Sequence, residues 1–156
     1  MTLKSLLFIA AFTLSCSVAN AQENLESEEE SPHHVSVVLG GTHVASEDLT
    51  AFTVGIDYEY RVNRLLGLGF VVERAFGEID ATTVLAVADI HIWRGLAVQA
   101  GPGIEFVGNE EVAVGRIGTL YEVTLDSGYT ISPQLHYDIS AEEDSLVFGI
   151  AIGRVF

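Results

Sequence analysis

A regular alternation of apolar and polar residues runs through the chain from residue 33 onwards, in turn-separated segments of about ten residues. Because successive side chains of a strand point to opposite faces, each segment predicts a strand with one apolar and one polar face. Repeated segments of this length are typical of a β-barrel that crosses a membrane. The clearest is 52–62, whose apolar face would carry Phe52, Val54, Ile56, Tyr58, Tyr60 and Val62, and whose polar face Thr53, Gly55, Asp57, Glu59 and Arg61.

The full pattern predicts an all-β fold, an eight-stranded antiparallel up-and-down transmembrane β-barrel. Its strands are expected over residues 33–44, 52–62, 65–76, 82–92, 95–107, 112–125, 128–139 and 146–156. An even strand number places both termini at one end, with tight turns at 63–64, 93–95 and 126–128. We expect longer, acidic connections at the other end, near 45–51, 77–81, 108–111 and 140–145. Pro102 and Pro133 lack a backbone donor and predict bulges or bends.

The direction of the apolar face decides between a membrane barrel and a water-soluble one. A soluble barrel would scatter Lys and Glu over its outer wall, yet residues 22–156 contain no Lys. All seven strand carboxylates fall on the face opposite the apolar one, and Arg74 and Arg154 on the apolar face lie near strand ends. The apolar face is therefore expected to meet lipid, with these carboxylates enclosed: Asp57, Glu59, Glu73, Asp89, Glu105, Glu122 and Asp138.

Aromatic residues of the apolar face gather near strand ends rather than mid-strand. Amphipathic rings prefer the two interfaces of a bilayer, so the positions predict an aromatic girdle at each rim. The main girdle residues are Phe52, Tyr58, Tyr60, Trp93, Phe106, Tyr121, Tyr129 and Tyr137.

Enclosed charges need partners, so we expect a polar network that fills the barrel and fixes its register. It comprises Asp57, Glu59, Arg61, Glu73, Asp89, His91, Glu105, Arg116, Glu122, His136 and Asp138. The acids outnumber the interior Arg residues, which leaves a narrow ion or proton path as an alternative. No cofactor or metal site is predicted, since a pair such as His136 and Asp138 is common by chance.

The charge balance and motifs exclude several activities. Seven Lys and Arg against 22 Asp and Glu give a formal charge of -15, which argues against nucleic-acid binding. His34 and Ser36 form a His-x-Ser spacing, but no acid partner is specified and lipid could hardly reach it. We predict no catalytic residues and no enzyme, with a lipid A-modifying barrel as the alternative.

The N-terminal region predicts export. Residues 1–21 combine Lys4, an apolar run and a small-x-small cleavage site at Ala19-Asn20-Ala21, as in a secretory signal peptide. Residues 22–32 are acidic and predict a disordered leader before the barrel of residues 33–156.

The last strand resembles the C-terminal signature of bacterial outer-membrane barrels: Phe148, Ile150, Ile152 and Phe156 match, whereas Arg154 stands where an aromatic is usual. The chain after residue 32 resembles the small eight-stranded OmpA/OmpX-like barrel family. The resemblance implies a Gram-negative outer membrane, lipid and lipopolysaccharide as surroundings, a monomer, and reading of the last strand by the barrel-assembly machinery. It also implies a porin-like architecture. Because architecture alone does not fix function, the expected role stays open between structural support, envelope integrity and surface interaction.

Overall fold

The computed structural model describes residues 32–156. The predicted signal peptide (1–21) and the predicted leader (22–32), except residue 32, lie outside the described residues. Among residues 32–156, no helix is long and apolar enough to cross a membrane. The strands are β1 (His33–Val44), β2 (Leu49–Arg61), β3 (Leu66–Phe76), β4 (Ala81–Trp93), β5 (Leu96–Val107), β6 (Glu110–Tyr121), β7 (Val123–Thr124), β8 (Tyr129–Ser140) and β9 (Ser145–Val155).

The sheet closes on itself. Each strand pairs antiparallel with its neighbours, and β1 pairs with β9 from His34 opposite Val155 to Val44 opposite Ser145. β6 and β7 both pair with β8 and together form one wall strand, interrupted at Glu122. The nine segments therefore build an eight-stranded antiparallel up-and-down barrel, which confirms the predicted fold class.

The apolar face points outward, as the sequence predicts. The side chain of Ile56 is 52% exposed, whereas Glu59, three residues later on the same strand, is 5% exposed. The same alternation of exposed apolar and buried residues repeats along the other wall strands. A large apolar outer wall is rare on water-soluble monomers and suits contact with acyl chains.

Of the bulges or bends predicted at the prolines, the bulges do not form. The pairing frame is unchanged on both sides of Pro102 and of Pro133. Pairing is missing on one side of each proline, between Leu85 and Ala88 on β4 and between Leu120 and Val123 on β6 and β7, because proline has no N–H to donate. On the other side Pro102 pairs with Gly115 and Pro133 with Ile150. The register shift of β4 and β5 lies instead between His91 and Trp93.

The predicted difference in connection length is wrong. The end that holds both chain ends of the barrel, called here the turn end, has connections 62–65, 94–95 and 125–128. The opposite loop end has connections 45–48, 77–80, 108–109 and 141–144, which are no longer as a group. At 94–95, Arg94 and Gly95 have φ values of 40° and 90°, the positive pair that a tight two-residue hairpin requires.

Aromatic rings mark both rims. At the turn end, the His33 ring lies 5.3 Å from that of Tyr60 and 5.7 Å from that of Phe156, centroid to centroid. At the loop end, Phe52 and Phe76 are cross-strand partners with ring centroids 6.4 Å apart. Trp93, Tyr121 and Tyr129 are exposed at the turn end, as are Phe106 and Tyr137 towards the loop end.

If the outer wall faces lipid, the cost of a charge there depends on its depth. Ile56→Arg, in the middle of β2, should lower the free energy of unfolding by about 2–4 kcal/mol, whereas Val62→Arg at the rim should cost about 0–1 kcal/mol. Reversible urea unfolding in lipid vesicles measures both. Equal costs for the two variants would contradict lipid contact at Ile56.

Candidate functional site

The predicted interior residues lie on the inner face of the barrel. Glu59, Glu73, Asp89, Arg116, His136 and Asp138 are buried. The remaining members are half-buried: Asp57, Arg61, His91, Glu105 and Glu122. Strands that lie far apart in the sequence thus bring these polar groups together. The groups form two sets at different depths of the barrel.

The set nearer the turn end is called here the turn-end layer (His34, Glu59, Arg61, Asp89, His91 and Glu122). His91 Nε2 lies 2.6 Å from Glu59 Oε1, and Arg61 Nη2 donates to Glu122 Oε1 at 2.7 Å. His34 Nε2 lies 2.7 Å from the hydroxyl of Thr130, and His34 Nδ1 faces the two carboxylates. Glu59 and Glu122 therefore each have a cationic or hydrogen-bonding partner, as burial requires.

Asp89 is joined to Asp57 by an amide rather than by a cation. Gln99 Nε2 donates to Asp89 Oδ1 at 3.0 Å and to Asp57 Oδ2 at 3.4 Å. A single NH₂ group can serve both carboxylates because it carries two hydrogens. The bridging role of Gln99 depends on three strands, β2, β4 and β5, meeting at one depth.

The set nearer the loop end is called here the loop-end layer (Glu73, Glu105, Arg116, His136 and Asp138). Arg116 donates to both oxygens of Asp138 at 2.7 Å and to Glu73 Oε2 at 2.6 Å. Its side chain is 1% exposed, and those of Glu73 and Asp138 are 4% exposed. The contact with Asp138 is bidentate, and bidentate, charge-assisted hydrogen bonds are among the strong side-chain contacts.

Glu105 and His136 belong to the loop-end layer by depth but not by ion pairing. Glu105 accepts a hydrogen bond from Thr83 at 3.0 Å. His136 is buried, and neither of its ring nitrogens has a hydrogen-bond partner among the described residues. No hydrogen bond joins His136 to Asp138 among the described residues, since Asp138 bonds to Arg116.

Two inward glycines make room for bulky interior groups. Gly55 is the cross-strand partner of Glu73, and a Cβ there would lie 2.6 Å from Glu73 Cγ. Gly118 is the partner of His136, and a Cβ there would lie 2.7 Å from His136 Cα. Glycine at these two cross-strand positions therefore leaves room in a narrow barrel for the large side chains of Glu73 and His136.

An apolar cluster inside the barrel is the feature that sequence reasoning missed. Val71, Leu85, Val87 and Val114 are buried together. On β4, Leu85 and Val87 stand between Thr83, which contacts Glu105, and Asp89 of the turn-end layer. The signal is the unbroken apolar run at 84–88, which departs from strict alternation.

A cavity opens at the loop end. Its volume is about 230 Å³, and its walls include six carboxylates: Glu47, Glu78, Glu105, Glu110, Glu142 and Glu143. It is called here the acidic vestibule. Five of these residues come from the connections or their flanks, so the predicted acidic tips gather over one end of the interior.

The remaining predicted sites are dispersed. His34 bonds to Thr130 rather than to Ser36, so the His-x-Ser spacing forms no nucleophile–base contact. Phe148, Ile150 and Ile152 are exposed on the outer face of β9. Phe156 follows that strand, and its backbone pairs with His33 in both directions. Arg154 lies over the ring of Tyr129 at 5.5 Å, close to the rim.

Comparison with solved structures supports the architecture. The β-barrel domain of OprF from Pseudomonas aeruginosa superimposes with a TM-score of 0.67 at 14% identity, over 82% of this chain and 100% of that one. The Neisserial surface protein NspA gives a TM-score of 0.55 at 11% identity, over 80% and 96%. The Yersinia pestis attachment invasion locus protein Ail, solved with the heparin analogue sucrose octasulfate, gives 0.51 at 13%, over 81% and 98%.

The fold is therefore that of the small eight-stranded outer-membrane β-barrels, as the resemblance of the last strand implies. No protein-family model matches the sequence, and no curated protein matches it. Identities this low establish the shared architecture and leave the activity of this chain open.

The Arg116 triad should be a main determinant of stability. Arg116→Met leaves two buried carboxylates without their cation, which should lower the free energy of unfolding by about 3–5 kcal/mol. Arg64→Met, on an exposed turn residue, should change it by no more than about 0.5 kcal/mol. Urea unfolding in vesicles measures both.

Adding Glu73→Gln and Asp138→Asn to Arg116→Met removes the uncompensated charges and should restore part of the lost stability. If the triple variant is less stable than Arg116→Met alone, the carboxylates are not the source of the loss.

Proposed function

We propose that this chain is a small, non-enzymatic outer-membrane barrel whose interior is occluded by its own side chains and whose role is structural, in envelope integrity. The observation that carries the proposal is the succession of obstacles along the interior: the turn-end layer, the apolar cluster and the Arg116 triad. An eight-stranded barrel is only just wide enough to be filled by its side chains. The buried groups described above occupy that space.

The apolar cluster and the triad oppose conduction for different reasons. Side chains such as Leu85 and Val87 offer permeating water no hydrogen bonds, and narrow apolar constrictions exclude water and ions. Arg116 makes contacts to both of its carboxylates that an ion could replace only at a desolvation cost of several kcal/mol, on the order of that for a buried charge. Together they favour a barrel with a structural role in the membrane over a barrel that conducts solutes.

Placement in the outer membrane is part of the same proposal. It is supported by the exposed apolar wall, the rings at both rims and the architecture shared with outer-membrane barrels. We accordingly propose outer-membrane lipid and lipopolysaccharide as the surroundings, the barrel-assembly machinery as the reader of the terminal strand, and a monomeric state. A cleaved signal peptide over 1–21 completes the proposed export route.

The acidic vestibule favours one alternative, a narrow cation or proton path. Six glutamates around one mouth would concentrate cations there by their field. Four of them, Glu47, Glu78, Glu142 and Glu143, also stand on exposed connections, where acidity simply keeps loops hydrated. The occluded interior and the cation path differ in whether ions cross.

Planar-bilayer recording distinguishes the occluded barrel from the cation path. Purified, folded protein should give no steady conductance in concentrated KCl, because the interior is filled. Leu85→Ser, which hydrates the apolar cluster, serves as a comparison for any residual leak, and heat-modifiable migration on a gel reports folding. Steady cation-selective current through the unmodified protein, reduced by Glu105→Gln, would establish the path and overturn the occluded barrel.

A structural role also predicts a phenotype. In the organism that carries it, deletion should increase entry of bulky apolar antibiotics and detergents, since outer-membrane barrels and lipopolysaccharide form one barrier. The lipid A composition should stay unchanged by mass spectrometry. Loss of surface attachment with an intact barrier would instead assign a surface-interaction role, and altered lipid A acylation would indicate an enzyme.

A further inference from the structure

Three side chains of the turn-end layer present ligand atoms to one point. His34 Nδ1 lies 3.6 Å from Glu122 Oε2 and 3.9 Å from Glu59 Oε2. One ligand atom of each residue lies within 4.8 Å of those of the other two. We propose that His34, Glu59 and Glu122 form a binding site for a single divalent transition-metal ion of the zinc class, facing the turn end of the barrel.

The spacing suits such an ion. Zinc binds His nitrogen and carboxylate oxygen at about 2.0–2.2 Å in tetrahedral sites, so neighbouring ligand atoms stand about 3.4 Å apart around it. The two distances from His34 Nδ1 exceed that separation by a few tenths of an ångström. Rotations of the glutamate side chains would close that gap and bring the two carboxylate oxygens, which lie within 4.8 Å of each other, to the same spacing.

The other polar atom of each ligand is already held. Thr130 is fully buried, and its hydroxyl lies 2.7 Å from His34 Nε2; with Nε2–H donating there, Nδ1 keeps its lone pair for the metal. His91 contacts Glu59 Oε1 at 2.6 Å, and Arg61 donates to Glu122 Oε1 at 2.7 Å. Outer partners of this kind orient the ligands of protein metal sites and are part of their design.

The space and an unsatisfied group point to the same place. A cavity of about 20 Å³ is lined by the three ligands and by Ser132, enough for one water-sized occupant, which needs about 10–15 Å³. Ser132 is 3% exposed, and its hydroxyl has no hydrogen-bond partner among the described residues. With the ion between its three ligand atoms, the one water that this space admits would complete the coordination of the metal and give Ser132 that partner.

The local charge also calls for a cation. The same cavity is lined by Asp57 and Asp89 as well as by Glu59 and Glu122, four carboxylates close to one guanidinium, that of Arg61. A divalent ion would neutralise two of these charges where water is scarce. An imidazole ligand favours zinc-class ions over Ca²⁺ or Mg²⁺, which prefer sites made of oxygen alone.

The experiment uses the full chain folded in detergent or vesicles, with folding of every variant followed by heat-modifiable gel migration. Calorimetric titration with Zn²⁺ should give one site per chain. Titration with Co²⁺ should add visible absorption bands of a tetrahedral nitrogen–oxygen site. His34→Gln and Glu122→Gln should abolish the bands and weaken Zn²⁺ binding, whereas His43→Gln, on the loop-end side, should leave both unchanged.

Thr130→Val tests the outer partner. It removes the group that faces His34 Nε2 while leaving all three ligands, and should weaken Zn²⁺ binding by about 10–100-fold. A chain that takes up no Zn²⁺, or whose binding survives both His34→Gln and Glu122→Gln, overturns the site. Binding lost with the vestibule variant Glu142→Gln/Glu143→Gln instead would place the ion at the loop end and also overturn it. The conductance of the barrel is measured separately, so either proposal can fail alone.

Discussion

Closure of the sheet is the constraint on which the rest of this structure depends. In hydrocarbon an unpaired backbone N–H or C=O costs several kcal/mol, on the order of a lost hydrogen bond with no water to replace it, so an open sheet edge cannot stand. Pairing of β1 with β9 removes the last edge. It also divides every strand into an inner and an outer face, and from that division follow the apolar wall and the enclosed charges.

Enclosure then dictates how the charges are arranged. A buried carboxylate is tolerated only with a partner, and the chain has few cations, so one guanidinium serves two acids at the Arg116 triad. At the other acids the partners are not guanidinium groups alone: the amide of Gln99 joins Asp57 to Asp89, and histidines face Glu59. The glycines opposite Glu73 and His136 leave room for these large groups in a narrow cylinder. The interior is thus a packing solution as much as an electrostatic one.

Sequence pattern anticipated the fold well because the strand period of two is a local property. The alternation at 52–62 was enough to place Ile56 outside and Glu59 inside. At Pro102 and Pro133 the missing donor leaves a gap in the ladder, and the register continues without a bulge. The pattern failed for the connections, whose lengths depend on where pairing stops on two strands at once.

The linear chain by itself determined the number of wall strands, the face each side chain occupies and the outward turn of the apolar surface, because each follows from neighbours two residues apart. Only the closed barrel decided which inward groups touch. Arg116 meets Glu73, and His34 meets Glu122, across separations of 43 and 88 positions that alternation cannot relate. The relative stagger of the strands sets those meetings, and the stagger is fixed by the pairing of the whole sheet.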